Sequence, residues 1–162
     1  MIRRRIINPP MLIPLTQNQW AIVDAVDYDR LVYHKWYAAW SNQTQSFYAR
    51  TRIGNRIVPM HEVVKQTIQG APVDHWNGNT LDNRRNNLRT ATSRQNAANR
   101  KKHKNNTTGF KGVVRDRFRF RVQIGTPRRH LGMFNTPEEA ARAYNIAAVD
   151  MYGEFARINE GV

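Results

Sequence analysis

Four residues suited to hydrolytic chemistry fall within one short run, Val73 to Asn96: the adjacent pair Asp74 and His75, then Asn87, then Asn96. An imidazole titrates near neutrality and takes a proton from water. Carboxylate and amide oxygens are hard donors of the kind Mg²⁺ or Mn²⁺ accepts beside waters and a substrate phosphate. A base, a divalent cation and a group that orients the base are what phosphodiester hydrolysis needs at neutral pH. On this reading His75 is the general base, Asp74 and Asn96 are the metal ligands, and Asn87 hydrogen-bonds His75 or its backbone to fix the ring. Asn, Asp and Gly also gather in turns for purely conformational reasons, so the weight falls on the spacing of the set. His61, in Met60-His61-Glu62, reads either as a satisfied histidine at a helix start or as a residue near the site.

The elements that must hold these residues can be read locally. A short strand ends at His75, a polar loop passes through Asn77-Gly78, a second short strand lies near Leu88 to Ala91, and a helix follows. Thr92 with Gln95 three places on is a capping-box spacing, which starts that helix at about Ser93. Consecutive strand residues point to opposite faces, so the strand must end or bulge at His75 if Asp74 and His75 are to share a site. Upstream, β-branched and aromatic runs (Leu12 to Leu15, Trp20 to Val23, Trp36 to Trp40, Phe47 to Ile53, Arg56 to Met60) predict a meander of strands. Asp27 to Tyr33 and His61 to Ile68 are short helical candidates.

The 162 residues carry 26 Lys and Arg against 12 Asp and Glu, a formal net charge of +14, which implies a polyanionic partner. The excess is concentrated between residues 100 and 130, where only Asp116 is acidic. No stretch approaches the roughly 20 apolar residues of a spanning helix. The basic start, Met1 to Pro10, loses its apolar run at Pro9, so no secretory signal is expected and the protein should act inside the cell. The absence of cysteine excludes disulfides and thiolate zinc sites. Arg100 to Gly109, with no apolar residue, reads as a basic tether that lies along phosphates.

After Phe110 the pattern becomes three short strands and a helix. Phe120, Val122 and Ile124 alternate with Arg119, Arg121 and Gln123, giving one apolar and one cationic face. Val113 and Leu131 are expected inside, with Lys111, Arg128 and His130 outside. Thr136-Pro137-Glu138-Glu139 starts the helix, Ala140, Tyr144, Ala147, Ala148 and Met151 recur at helical spacing, and Gly153 ends it.

Two resemblances attach to these residues. The Asp-His pair, the Asn-Gly loop, the Leu81-Asp82-Asn83 and Asn87-Leu88-Arg89 segments and the following helix resemble the ββα-metal core of His-Asn-His (HNH) homing endonucleases of phage type. That resemblance implies His75 as base, Asn87 as its orienting residue, and Asp74 and Asn96 as metal ligands, Asn96 standing where the family's last His usually lies. Gly109 to Val113, Leu131 to Phe134, Thr136 to Tyr144 and Gly153 to Asn159 resemble the APETALA-two/ethylene-response-factor DNA-binding domain. It implies a sheet that enters the major groove, with Lys111, Arg119, Arg121, Gln123, Arg128 and His130 outward and Arg115 and Arg117 beside them. Val114 and His130 replace positions that family often gives to Arg and Trp, so base preference does not carry over.

The expectation is an α+β protein: a β-rich scaffold over residues 1–70, a ββα-metal core over 71–100, a basic linker over 101–108, and a three-stranded antiparallel sheet packed on one helix over 109–162. Its expected activity is Mg²⁺- or Mn²⁺-dependent cutting of double-stranded DNA, by a monomer in the cytoplasm of a bacterial or phage-infected cell. The rival reading is a DNA-binding transcriptional regulator with an inactive nuclease core. RNA binding is disfavoured, because the sheet pattern offers no exposed aromatic platform.

Overall fold

The computed structural model describes residues 9–67, 72–103 and 105–162. The basic start before residue 9 and the expected helix end at Ile68 lie outside the described residues. The chain forms two compact units, Met1–Thr90 and Ala91–Val162.

In the first unit, β1 (Pro10–Pro14) and β2 (Trp20–Asp24) form an antiparallel pair, and α1 (Ala25–Val32) follows directly. The strands β3 (Tyr37–Ser41), β4 (Ser46–Ile53) and β5 (Arg56–Pro59) make the expected meander in the order β3-β4-β5. Helix α2 (Met60–Lys65) precedes a two-stranded antiparallel sheet of β6 (Val73–His75) and β7 (Leu88–Thr90). Alternation decides what each strand buries: β2 turns Ala21 and Val23 inward, while β4 turns Ala49 and Thr51 inward and leaves Tyr48 and Arg50 on its other face. These apolar residues join Ile13, Leu31, Trp36, Met60, Val64, Val73 and Leu88 in one core. The Trp36 indole satisfies itself there by donating to the Leu31 carbonyl at 2.8 Å.

In the second unit, α3 (Ser93–Ala98) starts as its sequence predicts, with Thr92 and Gln95 making both bonds of a capping box. The strands β8 (Val113–Asp116), β9 (Arg119–Ile124) and β10 (Arg129–Phe134) form an antiparallel sheet with β9 central. Helix α4 (Pro137–Tyr152) lies on it, capped by Thr136 and Glu139 with Pro137 in its first turn. Its alanines Ala140, Ala141 and Ala148 bring its backbone close to Val113, Val122 and Ile124. Gly112 permits the closest approach: at φ +76°, a Cβ there would lie 2.1 Å from the Tyr144 ring. Asn159 ties the chain end to the sheet, accepting from Lys111 N and donating to Lys111 O.

Near the end of the segment read as a tether, side chains make hydrogen bonds to the backbone. Asn106 donates to Phe110 O, and Thr108 donates to Val113 O. Asn and Thr side chains replace the missing sheet partners of such a segment, which apolar patterning cannot reveal. Among the described residues, no helix is long and apolar enough to cross a membrane.

Candidate active site

The scaffold of the first unit pins the polar loop between β6 and β7 at several points. Ile22 on β2 accepts from Asn83 N at 2.7 Å and donates to Leu81 O at 2.8 Å, a parallel bridge to the loop. Thr80 donates to the Phe47 carbonyl on β4. Arg85 forks onto the buried carboxylate of Asp27, with Nε and NH2 each at 2.7 Å, and its backbone N–H donates to Asp24. Burial alone would raise the Asp27 pKa, but the hydrogen bonds from Arg85 and Arg30 outweigh it and hold Asp27 below its ordinary value. Asp82 behaves alike, buried yet held down by the Arg84 fork and by Asn77.

Asn87 lies one residue before β7 and acts on the loop that leaves His75. Its Oδ1 accepts from Asn77 N at 3.0 Å, its Nδ2 donates to Asp82 O at 2.7 Å, and its carbonyl accepts from Trp76 N at 2.9 Å. The Asn83 side chain lies beside the His75 ring, with Oδ1 3.5 Å from Nε2. That separation exceeds the usual ~2.9 Å of a strong bond, as in catalytic sites before substrate binds. Asn83 is a residue the sequence pattern does not single out, because nothing in its turn-like surroundings distinguishes it from a conformational Asn. In the tautomer that donates Nε2–H to Asn83, the lone pair of His75 lies on Nδ1.

His75 is 4% exposed, and burial pushes its pKa below the ordinary value against the opposing pull of Asn83, Asp74 and Asp82. The ring is therefore uncharged at neutral pH, the form a base requires. His61 on α2 lies beside it, with ring centroids 5.3 Å apart and planes at 85°. Tyr48 meets both imidazoles edge-on at 6.2 Å. His61 is pushed down to about 3 by burial, then by the nearby charge of His75 and Arg50.

Strand β6 ends at His75, as a site shared by Asp74 and His75 would require, but it contains no bulge. Asp74 pairs with Arg89 and His75 with Leu88 in unbroken register. Asp74 meets its cross-strand neighbour directly, Arg89 donating through Nε to Oδ2 at 2.8 Å with NH2 at 2.8 Å from the same oxygen. Asn96 is carried by α3 of the second unit. A carboxylate and an amide oxygen fit a hard divalent cation chemically. Among the described residues, no three His, Cys, Asp or Glu side chains converge as a ready-made cage, so waters and a substrate phosphate would supply the rest of the shell.

The sheet of the second unit exposes Arg115, Arg117, Arg119, Arg128 and His130. Arg121 and Gln123 are half-buried, with Arg121 3.7 Å from Asp116. Lys111, expected outside, instead donates its ammonium to the Ala98 carbonyl. Burial, with Arg157 and Arg100 nearby, pushes its pKa down to about 8. The reason is position: Lys111 precedes β8, so strand alternation does not govern its direction.

Residues 69–98, the run that holds β6, the pinned loop, β7 and α3, match the HNH endonuclease family. Over 88 residues the chain is 34% identical to a protein of Acanthamoeba polyphaga mimivirus described as the uncharacterized HNH endonuclease L560, covering 54% of this chain and 46% of that protein. The chain thus matches about half the length of that relative. No solved structure matches. The chain thus carries a segment similar to the HNH endonuclease family.

Proposed function

We propose that the protein is a homing-type DNA endonuclease that hydrolyses phosphodiester bonds with a divalent metal ion, acting inside a phage-infected or bacterial cell. The observation that carries this reading is the buried, uncharged His75 at the end of β6, inside the segment that matches the HNH endonuclease family. His75 takes the proton of the attacking water at Nδ1, while Asn83 holds the opposite ring edge and Asn87 fixes the loop that follows. Asp74 and Asn96 would hold Mg²⁺ or Mn²⁺, which when bound stabilises charge on the phosphate and leaving oxygen. The second unit, which we read as ethylene-response-factor-like, grips double-stranded DNA through Arg115, Arg117, Arg119, Arg121, Gln123, Arg128 and His130. A monomer with one base and one metal cuts one strand per binding event.

The experiment is incubation of supercoiled plasmid with the protein and Mg²⁺, with EDTA as control. Open-circle product that EDTA abolishes is the expected result, and equal cutting in EDTA would end the metal-dependent mechanism. One observation favours the regulator reading, namely that Arg89 already neutralises Asp74. Intact plasmid alongside tight duplex binding would establish that alternative.

A further inference from the structure

Tyr48 and Arg50 stand two residues apart on β4, on the face opposite Ala49 and Thr51. Tyr48 closes one side of the His61–His75 pair. Arg50 shares that strand face with Tyr48, the ring that borders both imidazoles. Four arginines of this unit meet acids: Arg30 and Arg85 meet Asp27, Arg84 meets Asp82, and Arg89 meets Asp74. Arg50 makes no ion pair among the described residues, and its Nε is sequestered from solvent with no hydrogen-bond partner. A cationic fork left partly unsatisfied is costly unless something else completes it. The partner that fits is an oxyanion with two oxygens in one plane, and for a chain of net charge +14 the abundant source is a phosphodiester. The neighbouring aromatic cluster of Tyr48, His61 and His75 brings no carboxylate to compete for the guanidinium.

We propose that Arg50 is a phosphate-binding residue: its guanidinium, on the face of β4 that also carries Tyr48, takes a backbone phosphate of the strand presented to His75. The endonuclease reading supplies the identity of that strand, and the phosphate site itself is tested without cleavage. The full-length protein, in EDTA, is titrated with the dinucleotide thymidylyl-thymidine, which has one phosphodiester, while the imidazole carbon-bound proton signals of His61 and His75 are followed by NMR. Both signals should shift saturably. Arg50→Gln should weaken the apparent Kd at least tenfold, as expected for loss of a charged hydrogen-bonding partner, and Arg50→Lys should restore part of it by returning charge without the fork. Unchanged His61 and His75 positions in the ligand-free variants establish that the cluster is intact. Signals that do not move in the wild type, or that titrate with the same Kd in Arg50→Gln, overturn the proposal. Plasmid nicking in Mg²⁺ separates the two readings: dinucleotide binding without nicking keeps the phosphate site and removes the endonuclease, whereas nicking with an unaltered Kd in Arg50→Gln does the reverse.

Discussion

Lowering the pH from 8 to 5 should destabilise the first unit through His61 and His75. Its pKa falls from an ordinary 6.5 to about 3 in the folded chain, because burial and the neighbouring His75 and Arg50 oppose a positive ring. Between those values the unfolded chain binds a proton that the folded chain refuses, so stability rises with pH across the window. The contribution is complete above 6.5 and is lost progressively as pH falls towards 3. Each pH unit crossed inside that window removes about 1.4 kcal/mol, and at pH 5 about 1.5 pH units have been crossed, a loss of about 2 kcal/mol. The His75 pKa is lowered in the same direction and adds to the loss, whereas Asp27 and Asp82, held below the ordinary carboxylate value, act only under more acidic conditions. All four tryptophans, Trp20, Trp36, Trp40 and Trp76, lie in the first unit, so urea unfolding followed by tryptophan emission reports that unit. With an m-value of about 1–2 kcal/mol/M, the midpoint should drop by about 1–2 M between pH 8 and pH 5. His61→Gln should reduce that drop. An equal drop in wild type and variant, or a wild type more stable at pH 5, would refute the electrostatic reading of the histidine cluster.

His75→Ala should leave duplex affinity nearly unchanged and slow plasmid nicking by about 10² or more, the usual cost of removing a general base; nicking at the wild-type rate would take His75 out of that role. Gly112→Ala should destabilise the second unit by about 2–4 kcal/mol, combining a positive φ with a collision against Tyr144, and helical circular dichroism of α4 during thermal melting is the readout. Asp27→Asn should cost about 1–3 kcal/mol by weakening the Arg85 and Arg30 bonds, visible in the same tryptophan-detected urea curve. Arg119→Ala should reduce the slope of log affinity against log salt by about one if it holds a phosphate, and an unaltered slope with unaltered affinity would move that side chain off the DNA.

Much of the local structure was legible in the sequence because it is a property of neighbours along the chain. The Thr92–Gln95 and Thr136–Glu139 spacings place both capping boxes, since each box closes within one turn. The alternation of Phe120, Val122 and Ile124 marks the inner face of β9, because a strand repeats every two residues. The proximity of Asp74, His75 and Asn87 in sequence likewise marked where chemistry was to be sought.

Tertiary structure alone decided what those side chains touch. Ile22, Asp24 and Asp27 hold the loop that carries Asn83, although some sixty residues separate Asp24 and Asp27 from Arg85, the loop residue they grip. Arg89 faces Asp74 because the register of β6 on β7 puts them opposite, and that register is fixed by burying Val73 and Leu88 rather than by either charge. His61 and Tyr48 reach His75 only once α2 and β4 have joined the same core. Periodicity predicts which face of an element is buried. It cannot predict which distant element will cover that face, and the environment that keeps His75 uncharged is made by that covering.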